Sequence, residues 1–122
     1  MTLRANAGRL LVHQIAAAIS QDVVELARGF RGPGAFARGD QIVRAAASIT
    51  SNIAEACGRG TVGEFKLFLG YAAGSAHELR SQLQAARALD APRAPTVRSL
   101  ESRTTLVIKL LNRLRDHPPP ER

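Results

Sequence analysis

Four stretches of the chain repeat apolar residues at steps of three and four, and three clusters of glycine or proline separate them. At 3.6 residues per turn such steps put one apolar stripe on one helix face. In the first stretch, about 9–28, the stripe is Leu11, Ile15, Ile19, Val23 and Leu26. Gly29 and Arg31-Gly32-Pro33-Gly34 end it, because glycine and proline so close together cannot continue a helix. The second stretch starts between Ala35 and Asp40, is read as 36–57, and carries Ile42, Ala46, Ile49, Ile53 and Ala56. Asp40 is its candidate N-cap, and Gly58-Arg59-Gly60 offers a left-handed glycine to close it. The third, 62–89, opens on Thr61-Val62-Gly63-Glu64. This is a capping box, in which the Thr61 hydroxyl and the Glu64 carboxylate each meet an orphan backbone N–H. Its stripe is Phe65, Leu69, Ala72, Ala76, Leu79, Leu83 and Ala86. Asp90 to Pro95 is the third break. The fourth helix, 96–116, takes Thr96 as N-cap and buries Val97, Leu100, Thr104, Val107, Leu111 and Leu114. The tail, 117–122, is expected to fray.

Short connections make sequential helices antiparallel. The expected fold is therefore all-α, an up-and-down antiparallel four-helix bundle, in one domain over residues 1–122. Composition agrees: the 45% apolar content is mostly Ala, Leu, Ile and Val, with 4% aromatic and no Trp. Sheets draw on aromatic and β-branched residues, whereas Ala and Leu favour helices. Ile49, Ile53, Leu69, Leu83, Val107 and Leu111 should be among the most buried side chains, with Leu106 added from beside the stripe. Folding the second helix on the third about residue 60 sets Ile53 level with Leu67 and Phe68. It also sets Ile49 level with Tyr71 and Ala72, and Arg44 level with residues 76–78.

Enzymatic chemistry finds no foothold. The single cysteine, Cys57, excludes an intramolecular disulfide and points to a reducing cytoplasm. The leading residues and the broken apolar run after them read as neither a secretory segment nor a membrane span. His13, His77 and His117 share no helical turn, and Cys57 has no thiol partner, so no metal or other cofactor is expected. Glu55 has no second acid or base placed with it. Cys57 and His77 belong at opposite ends of the bundle.

The formal charge is +7, and 15 of the 17 basic residues are Arg. Guanidinium groups grip phosphate bidentately. Against that stands a bland reading, in which the arginines form a solvated face or pair with Glu55, Glu64, Glu78, Asp90 and Glu101. No run of consecutive Lys/Arg and no interleaved aromatics appear, which disfavours a stacking platform for single strands. Arg38, Arg59, Arg80, Arg87 and Arg98 lie off the apolar stripes or in turns. They are the candidate nucleic-acid contacts.

A polar stripe, Gln41, Arg44, Ser48, Asn52, Glu55 and Arg59, runs down the second helix opposite the isoleucines. Arg44-Ala45, Ser48-Ile49, Ser51-Asn52-Ile53-Ala54-Glu55, Arg59, Glu64-Phe65, Phe68-Leu69, Gly74-Ser75 and Glu78-Leu79 stand in a distinctive order and spacing. They resemble the four-helix-bundle family of proteins encoded in intervening sequences of 23S ribosomal RNA genes. The close match spans about residues 41–90. Thr50 stands where proline is usual, and Ala56-Cys57 replaces a glycine and an aromatic. The resemblance implies the same bundle, assembled as a homopentamer. It implies a largely unassigned function, with one related class, the accessory protein of diversity-generating retroelements, working with a reverse transcriptase and its RNA. It marks Arg44, Ser48, Asn52, Glu55 and Glu78 as a structural network that serves the core, a subunit interface or a ligand. The sequence thus supports a non-enzymatic homo-oligomeric scaffold binding RNA or DNA, or else a protein-interaction module whose charge is incidental. Gly70, Ala73 and Gly74 form a small-residue strip. Its expected compensation is the close approach of another backbone, from a neighbouring subunit or from helix 2 or 4.

Overall fold

In the computed structural model, which describes residues 10–119, the four stretches are helices. They are α1 (Leu11–Arg28), α2 (Ala35–Cys57), α3 (Val62–Leu89) and α4 (Ala94–Asp116), with one 3₁₀ turn at Ala91–Arg93 ahead of α4. Each helix packs on its neighbour in the chain, and α1 returns onto α4 to close the bundle. The described residues contain no strand. Arg9, where the first helix was expected to begin, and the tail beyond residue 119 lie outside the described residues.

The stripes meet in one core. Ile49, Ile53, Leu69, Leu83, Val107 and Leu111 are all fully buried. Leu106 is not: it is 44% exposed, and Ile108 is buried instead. Each helical residue turns the side chain by about 100°. Ile108 lies four residues past buried Thr104 and falls on the stripe, while Leu106 falls beside it. At the start of α1 Leu11 is exposed and Ile15 only half-buried, and Val12 and Ala16 carry the stripe there. Thr104 is the one buried polar side chain among the described residues. Its hydroxyl donates to the Leu100 carbonyl at 2.7 Å, so no hydrogen-bonding group is stranded.

Helix ends decide the loop geometry. Thr61 caps α3, its Oγ1 accepting from the Glu64 amide at 3.2 Å. The Glu64 carboxylate does not take the reciprocal role expected of it. It accepts from the Thr61 hydroxyl at 3.2 Å and pairs with Arg59. Thr61→Ala should lower the unfolding free energy by about 1 kcal/mol, the usual worth of such a cap, read as a shift in denaturation midpoint at constant slope. An unchanged midpoint would mean the cap contributes nothing.

Three turn expectations are corrected. Asp40 is not a cap: α2 begins at Ala35 behind Gly34, and Asp40 sits inside the helix, paired with Arg44 at 2.9 Å. Thr96 is not a cap either, because the chain turns earlier. The Asp90 side chain accepts from the Arg93 amide at 3.3 Å, starting the 3₁₀ turn that runs into α4. The left-handed glycines are Gly32 (φ 85) and Gly34 (φ 74) in the α1–α2 loop, not Gly58 or Gly60. Gly58 closes α2 at φ −83. Gly39 is buried where α1 comes close, and a Cβ there would sit 3.2 Å from the Ala27 methyl.

Candidate nucleic-acid interface

The polar stripe on α2 divides into separate local groups. Ser48 Oγ lies 2.8 Å from Ser75 Oγ on α3. Asn52 Nδ2 donates to the Ser48 carbonyl at 2.8 Å and to its Oγ at 3.1 Å. This half-buried trio ties α2 to α3. Reflection about residue 60 would have placed Ser48 opposite residue 72, so the true register is shifted by about three residues, less than one turn. Thr50, in the place of the usual proline, keeps α2 unbroken and donates to the Ala47 carbonyl at 2.9 Å.

Glu55 belongs to the next group, at the end of the bundle. It pairs with Arg59 at 2.6 Å, Arg59 reaches Glu64 at 3.6 Å, and the guanidinium lies over the Phe68 ring at 4.4 Å. Arg44 and Glu78 join neither group: Arg44 pairs with Asp40, and Glu78 accepts from Gln82 at 3.1 Å. Ser75 is the member that the α2 stripe alone could not supply. Its signal was the Gly74-Ser75 pair in the motif.

The five candidate arginines are engaged to different degrees. Arg38 donates to the Pro33 carbonyl at 2.8 Å and to the Arg31 carbonyl at 3.3 Å, and it lies over the Phe30 ring. It holds the α1–α2 loop. Arg59 is neutralised by its two carboxylates. Arg87 faces Glu101 across the α3–α4 interface. Nε and Oε2 are 2.9 Å apart, in ion-pair range but out of line for a hydrogen bond, while Nη2 donates to Oε1 at 3.4 Å. Arg80 meets only neutral acceptors, Thr105 Oγ1 at 3.4 Å and His77 Nδ1 at 3.1 Å. Arg98 is exposed and has no partner among the described residues.

Other cations stand free that the sequence did not single out. Lys66, Lys109 and Arg113 are exposed and without a partner among the described residues. Arg98 and Lys109 share the outer stripe of α4 with Ser102 and Thr105, and Arg113 follows one turn on. Asp116 stands at the end of that stripe. For Lys109 a signal existed in the sequence, since no acidic residue lies three or four positions away. Arg115 lays its guanidinium against α3 where Gly70 lacks a side chain: a Cβ there would be 3.6 Å from Nη2. A side chain, not a backbone, thus fills the space at Gly70. Gly74 faces open space, with no atom within 4 Å of its missing Cβ.

Elsewhere the chemistry is quiet. Burial pushes the half-buried Cys57 thiol above its ordinary pKa, which keeps it protonated and weakly nucleophilic. The described residues hold no group of three potential metal ligands. No helix among them is long and apolar enough to cross a membrane.

No curated protein matches the chain in sequence. A solved structure from Bacteroides thetaiotaomicron, described as a protein with unknown function from the S23 ribosomal protein family, has the same fold with a TM-score of 0.74. It is 21% identical, and the match covers 86% of this chain and 98% of that one. The profile of the 23S rRNA-intervening sequence proteins matches residues 8–113. The span takes in all of α1, α2 and α3 and nearly all of α4, so the chain belongs to the 23S rRNA-intervening sequence protein family.

Proposed function

We propose that the chain is a non-enzymatic, self-associating scaffold that holds nucleic acid against the cationic outer face of α4. The observation that carries this reading is the free state of Arg98, Lys109 and Arg113. Most described carboxylates are already committed to other arginines, in the pairs Glu25–Arg28, Asp40–Arg44, Glu55–Arg59, Asp90–Arg93, Glu101–Arg87 and Asp22–Arg103. Glu78 and Asp116 are the described carboxylates outside these pairs and the Glu64–Arg59 contact. Of the exposed cations left without a partner among the described residues, Lys66 lies on α3 and three lie along one stripe of α4. Such a face attracts polyanions and selects little among sequences, because it meets phosphates and not base edges.

Self-association has a separate support. Leu67 and Tyr71 are half exposed on the outer face of α3, and Gly74 continues their stripe with nothing above it. A second copy packed there would cover both the apolar pair and the bare backbone. Five copies is the number the family resemblance implies.

The test is a salt titration of binding to a generic RNA and a generic duplex. Each phosphate neutralised should contribute about −0.9 to the slope of log affinity against log salt for duplex, and about −0.7 for single strands. Absence of binding at low salt, or binding without a slope, would leave the rival reading, a protein-interaction module with incidental charge.

A further inference from the structure

We infer that the groove between α3 and α4 seats a single phosphate group, held by Arg80 with His77, Ser81, Ser102 and Thr105 around it. The inference rests on the nucleic-acid reading for the source of that phosphate, a polynucleotide backbone. The groove is open to solvent and has a volume of about 350 Å³. From α3 it is lined by His77, Arg80, Ser81 and Gln84, at the spacing of one helix face, and from α4 by Glu101, Ser102 and Thr105.

Nearly every lining group can donate a hydrogen bond. The exception is Glu101, and its charge is answered by Arg87 at 2.9 Å. The telling feature is the state of Arg80. Its Nη1 donates to Thr105 at 3.4 Å and its Nη2 to His77 Nδ1 at 3.1 Å. Both acceptors are neutral, so the guanidinium is positioned across the two helices without being neutralised. Arginine only donates, so His77 Nδ1 is the acceptor in this contact. A phosphate offers stronger, charge-assisted acceptors than a hydroxyl or an imidazole. The free cations extend the site along α4: Arg98 lies one turn before Ser102, and Lys109 one turn after Thr105. A backbone that places one phosphate at Arg80 meets further positive charge in both directions.

The experiment uses the full chain, labelled with ¹⁵N and titrated with inorganic phosphate, and with acetate at matched ionic strength. Saturable shifts of the amides of residues 77–84 and 101–105 are expected with phosphate and not with acetate. Equal shifts with acetate would show a non-selective anion site and overturn the inference, as would no shift with either. In parallel, Arg80→Gln should weaken binding of a generic RNA about tenfold, the worth of one charge-assisted contact. Arg28→Gln, which removes the same charge from the Glu25 pair at the end of α1, should change it less than about twofold by the same reckoning. Ser102→Asp, at an exposed position, should weaken it as Arg80→Gln does and guards against misfolding of the first variant. Equal losses in Arg80→Gln and Arg28→Gln would overturn the seat and leave the general cationic face standing. Phosphate shifts in the groove without any RNA or duplex binding would support the seat and remove the nucleic-acid reading.

Discussion

Phe65→Ala should cost about 3–5 kcal/mol of unfolding free energy, the range for deleting a buried aromatic side chain. Phe65 is fully buried at the start of α3 and is the largest side chain in that state. The cavity left behind would persist, because the rest of the core is rich in residues with nothing to swing into it. Ala16, Ala46, Ala56, Ala72 and Ala76 are all fully buried. A domain of this length has roughly 5–15 kcal/mol in total, so the substitution removes a large share. The measurement is a denaturation midpoint that falls while the slope stays fixed, at matched protein concentration because association adds to apparent stability. A loss under about 1 kcal/mol would mean that the site collapses freely, and the picture of a rigid alanine-rich core would be wrong.

Tyr71→Glu should abolish the self-association proposed above. Tyr71 is 51% exposed and stands edge-on to Phe68, with ring centres 5.4 Å apart. Leu67, one turn before it, is 50% exposed. A carboxylate carried into the contact between copies would lose its water without gaining a partner, at a cost of several kcal/mol. Each 1.4 kcal/mol is tenfold in affinity, so the dissociation constant should rise by about a hundredfold or more. Light scattering should give a mass well above 13.1 kDa for the native chain and close to that value for the variant. Circular dichroism should not change, since the side chain lies outside the core. A native chain that is monomeric at micromolar concentration would remove the assembly, and a variant that stays assembled would move the contact face elsewhere.

How much the sequence disclosed follows the range over which each feature acts. Ile49, Ile53, Leu69 and Leu83 could be placed in the core because heptad spacing is a property of the helix itself. Leu106 could not be separated from Ile108 by apolarity, only by phase. Asp40 and Thr96 have the chemistry of caps, but a cap is set by where the chain bends, and the bends fell at Gly34 and Asp90. Arg38 looked available because its partners are carbonyls of the α1–α2 loop, and every residue has a carbonyl. Arg87 and Glu101 are 14 positions apart and meet only once α3 and α4 are antiparallel. Arg59 could be read locally, since Glu55 lies one turn before it. Lys109 could be read locally too, since no acidic residue lies three or four positions away, whereas Arg113 has Asp116 three positions on and stands out only after the charges have been paired off.

The hydroxyl contact between Ser48 and Ser75 has a consequence for how such a chain can change over generations. The helix faces beside it are smooth, built from alanine and isoleucine, and would resist a slip of one turn only weakly. The two hydroxyls and the Asn52 amide discriminate between registers. Loss of the Ser48 hydroxyl takes from Ser75 its partner at a half-buried position, whereas loss of both together to residues of matching shape is close to neutral in free energy. The two positions are therefore bound to drift as a couple, and a lineage that exchanges both for alanine keeps its stability while giving up the group that tells one alignment of α2 on α3 from the next.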